Sequence, residues 1–105
     1  MVEGSELVMN LAKVIGNVVA TQKSPELQGL KLLLIQPYAN QSKKLVASGN
    51  SIVAADTVGA GVGECVLDTY GSAARLALNG KAPVDAVIVG IVDSVDVEGT
   101  TVKRP

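Results

Sequence analysis

The residues with the greatest potential for chemistry in this 105-residue chain sit in one stretch, 59–65, which reads GAGVGEC. Glycines at 59, 61 and 63 invite comparison with the dinucleotide turn GxGxxG, in which backbone N–H groups at a helix N-terminus cradle a pyrophosphate. Glu64 stands where the third glycine belongs, and the residues after it have strand character, not helix character. The glycines therefore read as a tight backbone turn or as a close approach to another subunit. Cys65, the one cysteine, lies in an apolar strand pattern, and the chain contains no histidine. With nothing positioned to draw off its proton, the thiol reads as a small core residue. The missing histidine also removes the commonest general base and metal ligand. Asp85, Asp93 and Asp96 could pair as carboxylates or hold a hard cation, yet their flanking and alternating positions fit a solvated face. No catalytic, cofactor or metal site is expected.

Arg75 is the remaining charge of interest, set among alanines and leucines. One reading is a side chain snorkelling along the surface. The other is a hydrogen bond or ion pair across a subunit boundary, with Asp56 or Glu64 as its partner.

Composition narrows the function classes. Nine Lys and Arg against ten Asp and Glu leave a formal charge of −1, so there is no basic field to gather phosphates or an anionic membrane. The N-terminus lacks a basic start and an apolar core, and the longest apolar stretch, residues 86–92, is far short of the roughly 20 residues that span a bilayer. A cytoplasmic chain with neither nucleic acid nor membrane as partner is expected. The apolar share of 48% comes from Val, Ala, Leu and Ile, with only Tyr38 and Tyr70 as aromatics. Such aliphatic runs favour strands.

These elements position the candidates. Residues 1–8 show no sustained period and read as a flexible N-terminal extension ahead of a single domain over 9–105. The run 11–21, LAKVIGNVVAT, predicts a first strand, with Gly16 marking a bulge or bend. Residues 22–29 form a connecting loop. The run 30–38 predicts a second strand ending at Pro37, since proline cannot donate to a ladder, with 40–44 as a solvated turn. Two short pieces within 45–58, around Ser48-Gly49-Asn50-Ser51, carry a hairpin signal. Residues 64–70 give another strand, and Ser72 caps a short helix that runs to Leu78 and stops at Asn79-Gly80. The run 86–99 reads as one strand, buried at first and alternating beyond Val92. Five or six short strands and one helix suggest a small closed barrel, an all-β fold with little helix.

Taken in order, AKVIGNVVATQKSPELQGLKLLLIQP, AADTVGAGVGE, GSAARLAL and APVDAVIVGIVDSVDV closely resemble the EutN/CcmL family of microcompartment shell proteins over residues 9–97. The resemblance implies a five-stranded barrel of the oligonucleotide-binding type with one short helix, assembling into a pentameric ring. It further implies that such pentamers cap the vertices of a polyhedral bacterial microcompartment, beside hexameric shell proteins. By position, Asp56, Gly59, Ala60, Gly61, Gly63 and Glu64 fall in the loop near subunit contacts or a central pore, and Ser72 and Arg75 match the GSxAR helix. Cys65 stands where the family commonly has tryptophan. A small aliphatic chain of low net charge fits the implication, because it gains by burying apolar surface and strand edges against copies of itself. An alternative reading of such a barrel is a binding module for single-stranded nucleic acid or a small ligand, for which two tyrosines make a poor stacking platform.

Overall fold

Unbroken aliphatic runs such as LKLLLI and AVIV call for strands covered on both faces, unlike the in–out alternation of a half-solvated sheet. The computed structural model, which describes residues 9–21, 25–27, 29–71, 74, 77–78 and 85–105, shows how both faces are covered. Its strands are β1 (Met9–Val18), β2 (Lys31–Gln41), β3 (Lys44–Ala47), β4 (Ile52–Asp56), β5 (Cys65–Tyr70), β6 (Ala86–Ile91), β7 (Val95–Val97) and β8 (Thr100–Val102). The first six form one sheet in the order β1-β5-β6-β4-β2-β3, and β1 also pairs with β2, which closes five of them into a barrel with β3 appended. Every pairing is antiparallel except β4 with β6, a short parallel seam joining Ala55 to Val87 and Asp56 to Ile88. The expected five-stranded barrel is therefore what forms.

Inward-facing positions of these strands build the core. Ala12, Val14, Leu33, Ile35, Ala54, Val66, Ala86 and Ile88 meet in one buried cluster, with Ile52 against it. Small and medium aliphatics suffice to fill so narrow a barrel. Alternate residues on the same strands face outward, where Ala55 and Val87 bury against Ala74, with Leu32, Leu78 and Val89 around them. Gly71, Ala74 and Ala77 are helical, and the Leu78 N–H bonds the Ala74 carbonyl at 3.2 Å. The helical segment thus covers the second face and makes the run AVIV two-sided. Ser72, Arg75 and the stop at Asn79-Gly80 lie outside the described residues.

The bulge expected at Gly16 is present. The β1–β2 register shifts between Val14 and Gly16, leaving Ile15 as the extra residue and partly exposed. A second shift, between Leu67 and Asp68 on β5, skips Val89 on β6.

Four expectations need correction. Pro37 does not end its strand, because β2 continues to Gln41. It sits where β2 passes from β4, paired through Ile35, to β3, paired from Tyr38. The missing N–H falls in this gap, and the Pro37 carbonyl takes the Ser48 N–H at 2.9 Å. Residues 40–44 are not a solvated turn throughout: Ser42 and Lys43 alone form the turn of the β2–β3 hairpin, with φ of 54° and 65°, and Gln41 pairs with Lys44. Two successive left-handed residues give the strand twist a two-residue hairpin needs, even without Asn-Gly. The pieces around Ser48-Gly49-Asn50-Ser51 do not pair with each other, because β3 and β4 both pair with β2. Finally, the run 86–99 is two strands: β6 ends at Ile91, and β7 pairs with β8 in a separate hairpin, raising the strand total among the described residues above the expected five or six.

Candidate functional site

β4 ends at Asp56, and the chain must turn back within a few residues to enter β5. Thr57 fixes the start of this turn by donating both its N–H and its hydroxyl to the Ile88 carbonyl, at 3.4 and 2.8 Å. The Asp56 carboxylate then gathers the next three amides. Oδ1 accepts the N–H of Val58 at 3.0 Å and of Gly59 at 3.2 Å, while Oδ2 accepts that of Ala60 at 2.9 Å. An aspartate that bonds backbone a few residues ahead is a standard turn former. Gly59, with φ of 82°, supplies the left-handed step that lets the amides converge.

Lys31, at the start of β2, braces this turn. Its Nζ donates to the Ala60 carbonyl at 2.7 Å and lies 3.6 Å from Asp56 Oδ2. Ala60 is wholly buried and belongs to the core cluster, so the loop drops its methyl group into the barrel as a plug.

A second carboxylate holds the far side of the loop. Glu64 Oε1 accepts the Gly61 N–H at 2.7 Å, and the Glu64 N–H donates to the Gly61 carbonyl at 3.1 Å. β1 fastens the end: the Gly63 N–H reaches the Val14 carbonyl at 2.8 Å and the Val14 N–H reaches the Glu64 carbonyl at 3.0 Å. Gly63 is the second left-handed position, with φ of 96°.

The structure thus brings six of the expected site residues, Asp56, Gly59, Ala60, Gly61, Gly63 and Glu64, into one rigid loop. Both carboxylates bind their own backbone, and Asp56 is almost wholly enclosed, which leaves it no face for a partner across a boundary. Beside exposed Thr57 and Glu64 the loop shows solvent two valines, Val58 at 40% and Val62 at 57% exposure. Such a surface suits contact with another protein better than it suits a substrate or a nucleotide. No helix begins at the glycines; β5 follows them.

The acids Asp85, Asp93 and Asp96 are not brought together. Asp96 accepts the Thr101 hydroxyl at 2.7 Å within the β7–β8 hairpin. Asp93 lines a cleft of about 360 Å³ with Glu64, Cys65, Lys103 and Arg104, whereas Asp85 lies in a separate groove beside Tyr70. Among the described residues no three His, Cys, Asp or Glu side chains are grouped to hold a metal, and no helix is long and apolar enough to cross a membrane.

Cys65 opens β5 with only 2% of its surface exposed. Burial pushes its thiol above the ordinary range, with the charge of Arg104 acting weakly in the other direction. A thiol reagent should therefore label the folded protein on the order of a hundredfold more slowly than the protein in denaturant. Comparable rates in the two states would place the thiol at the surface.

Sequence reasoning passed over two residues. Lys31 could not be linked to Asp56 without the β2–β4 register that pairs them. Asp68 could have been noticed, as it lies two residues from inward-facing Val66 on the same face of β5. It is fully buried, and neither carboxylate oxygen has a hydrogen-bond partner. Burial lifts its carboxyl above the usual carboxylate range; the Tyr70 hydroxyl opposes this but misses hydrogen-bond geometry. The Tyr70 phenol is raised in turn, by burial and by the neighbouring carboxylate.

Comparison with known proteins adds to this geometry. The family model for ethanolamine utilisation protein EutN/carboxysome matches residues 9–93. The chain is 50% identical over 90 residues to the carboxysome shell vertex protein CcmL of Synechocystis sp., covering 85% of this chain and 87% of that one. It is 51% identical over 89 residues to the microcompartment shell vertex protein PduN of Salmonella typhimurium, covering 82% and 97%. Among solved structures, the GrpN pentameric microcompartment shell protein from Rhodospirillum rubrum superposes with a TM-score of 0.72 at 44% identity, covering 84% of this chain and 96% of that one. A carboxysome subunit, CcmL, superposes with a TM-score of 0.78 at 47% identity, covering 88% and 94%.

Proposed function

The chain belongs to the EutN/CcmL family, and from that membership we propose that five copies close into a ring that caps the vertices of a bacterial microcompartment shell. Its work is mechanical. A head-to-tail interface closes when its rotation divides a full turn, and a five-fold ring brings the curvature that a flat hexagonal sheet lacks. Hexameric shell proteins of the same compartment are the partners this role requires, and no catalytic step is assigned to the chain.

The observation that carries the reading at residue level is the stapled loop. Asp56 and Glu64 make residues 57–64 rigid from within, so Val58 and Val62 are held outward at little further entropic cost when a neighbour covers them. We assign the contact to this loop, with Gly59, Ala60, Gly61 and Gly63 shaping it, and keep Ser72 and Arg75 as proposed contributors. Residues 1–8, which precede the matched span, are proposed as an extension to the 9–105 domain that assembly does not need.

Native mass spectrometry at micromolar concentration tests the ring. A dominant pentamer is expected, and Val62→Glu should shift the population toward monomer while the far-ultraviolet circular dichroism stays β-rich. A dominant monomer, dimer or hexamer in the parent protein would defeat the vertex role; an undisturbed pentamer in the variant would take the loop off the interface.

A further inference from the structure

The buried carboxyl group of Asp68 has no part in the loop or in any contact assigned above. It occupies an inward position of β5, between core residue Val66 and Tyr70 on the same face. Asn10 of β1 lies opposite it on one side and Ile88 of β6 on the other. The positions next along that face are Ala12 on β1 and Ala86 on β6, and the opposite wall of the barrel contributes Leu33, Ile35 and Ala54. No lysine or arginine among the described residues faces it. Among the described residues Tyr70 is the one titratable group beside it, and Asp85 shares the groove that Tyr70 lines. A carboxylate here would have no countercharge among the described residues and no well-formed hydrogen bond, and buried ions in that condition give up their charge.

We propose that Asp68 makes this barrel a proton-linked fold: the closed subunit holds Asp68 as the neutral acid, and rising pH loosens the subunit and, through it, the ring. The part concerning the ring rests on the pentameric reading above. The direction follows from which state binds the proton. Burial raises the carboxyl in the folded chain, so folding takes up a proton that the unfolded chain has already released. Stability is fullest below the ordinary carboxylate range and declines as pH rises toward the folded value. Within that window the folding equilibrium constant falls by up to about tenfold per pH unit for one linked proton, and above it the loss is constant. Each subunit of a ring carries the same link, so assembly, which draws on folded subunits, follows it.

Urea unfolding at one fixed protein concentration, from about pH 3 to about pH 9, measures the link across the whole window that opens at the ordinary carboxylate range. The readout is the difference between the parent protein and Asp68→Val, with Asp68→Asn as a second variant that keeps the shape and cannot ionise. The parent's midpoint should fall relative to both variants as pH rises, leaving both more stable than the parent at the alkaline end. Parallel profiles for parent and variants would overturn the proposal. So would Asp68→Val proteins that unfold as the parent does at every pH yet no longer sediment as a ring, because that pattern assigns the carboxylate to a donor from a neighbouring subunit. Sedimentation of the parent judges the ring separately: a species other than a pentamer would sink the vertex reading, while the unfolding profiles still decide the role of Asp68.

Discussion

Asp56→Ala is expected to cost the subunit about 3 kcal/mol, a large part of the 5–15 kcal/mol that holds a domain of this kind together. The carboxylate accepts three backbone N–H groups and its side chain is 1% exposed. Hydrogen bonds to a charged group are worth about 1.5–3 kcal/mol each, but the three losses do not simply add. The amides of Val58 and Gly59 belong to exposed residues and regain water, whereas that of Ala60 is partly buried and stays short of a partner. The loop would also lose the restraint that keeps the Ala60 methyl group in the core. Lys31→Met is the control, because the Lys31 side chain is half exposed and its ion pair is worth at most about 1 kcal/mol in water. Urea unfolding of both variants decides the matter. Equal losses would mean that the lysine, not the run of amides, gives the aspartate its importance.

Ile88→Ala should be the more damaging of the two, at about 4 kcal/mol. Ile88 is fully buried in the barrel core, and truncating such a side chain to alanine costs about 2–5 kcal/mol through lost transfer energy and the cavity left behind. Its position argues for the upper half of that range. Ile88 pairs with Asp68 of β5 and with Asp56 of β4, and its carbonyl anchors Thr57. A cavity there lies under the parallel seam and under the start of the loop, in walls held on both sides, so collapse cannot fill it. Val89→Ala, on the outer face, should cost about 1 kcal/mol by comparison. If the two variants melt alike, the interior of the barrel is more compliant than its packing suggests.

The core and the loop differ in how much of them the amino-acid sequence displays. Gly59 and Gly63 mark the loop because only glycine takes a left-handed φ without strain, and Asp56 and Glu64 flank those glycines closely enough to be grouped with them. Gly16 has no left-handed φ and marks its bulge differently, because a glycine inside a strand pattern is where the ladder is weakest. Lys31 and Asp56 are far apart in the chain, and only the β2–β4 register brings them together. Pro37 misled because its missing donor was counted against the whole strand, whereas a ladder can hold a proline wherever two partner strands leave a gap. The pieces around Gly49 looked like a hairpin because turn residues show where a chain reverses and not which strand it reverses onto. The break between β6 and β7 was hidden by valines that continue through both strands. Asp68 was legible in part: its two-residue spacing puts it on the same face of β5 as Val66, but it is the register against Ile88 that shows this face to be the inward one.

The parallel seam between β4 and β6 also governs the order in which this protein can be finished. β6 pairs with β4 on one side and with β5 on the other, so both of those strands have bare edges until residues 86–91 have left the ribosome. A nascent chain that ends before them can lay β1 against β2 and β5, but it cannot seal the barrel, and its open edges are templates for wrong pairing. Truncated products of interrupted translation should therefore aggregate instead of joining a ring, which keeps incomplete subunits out of the finished shell.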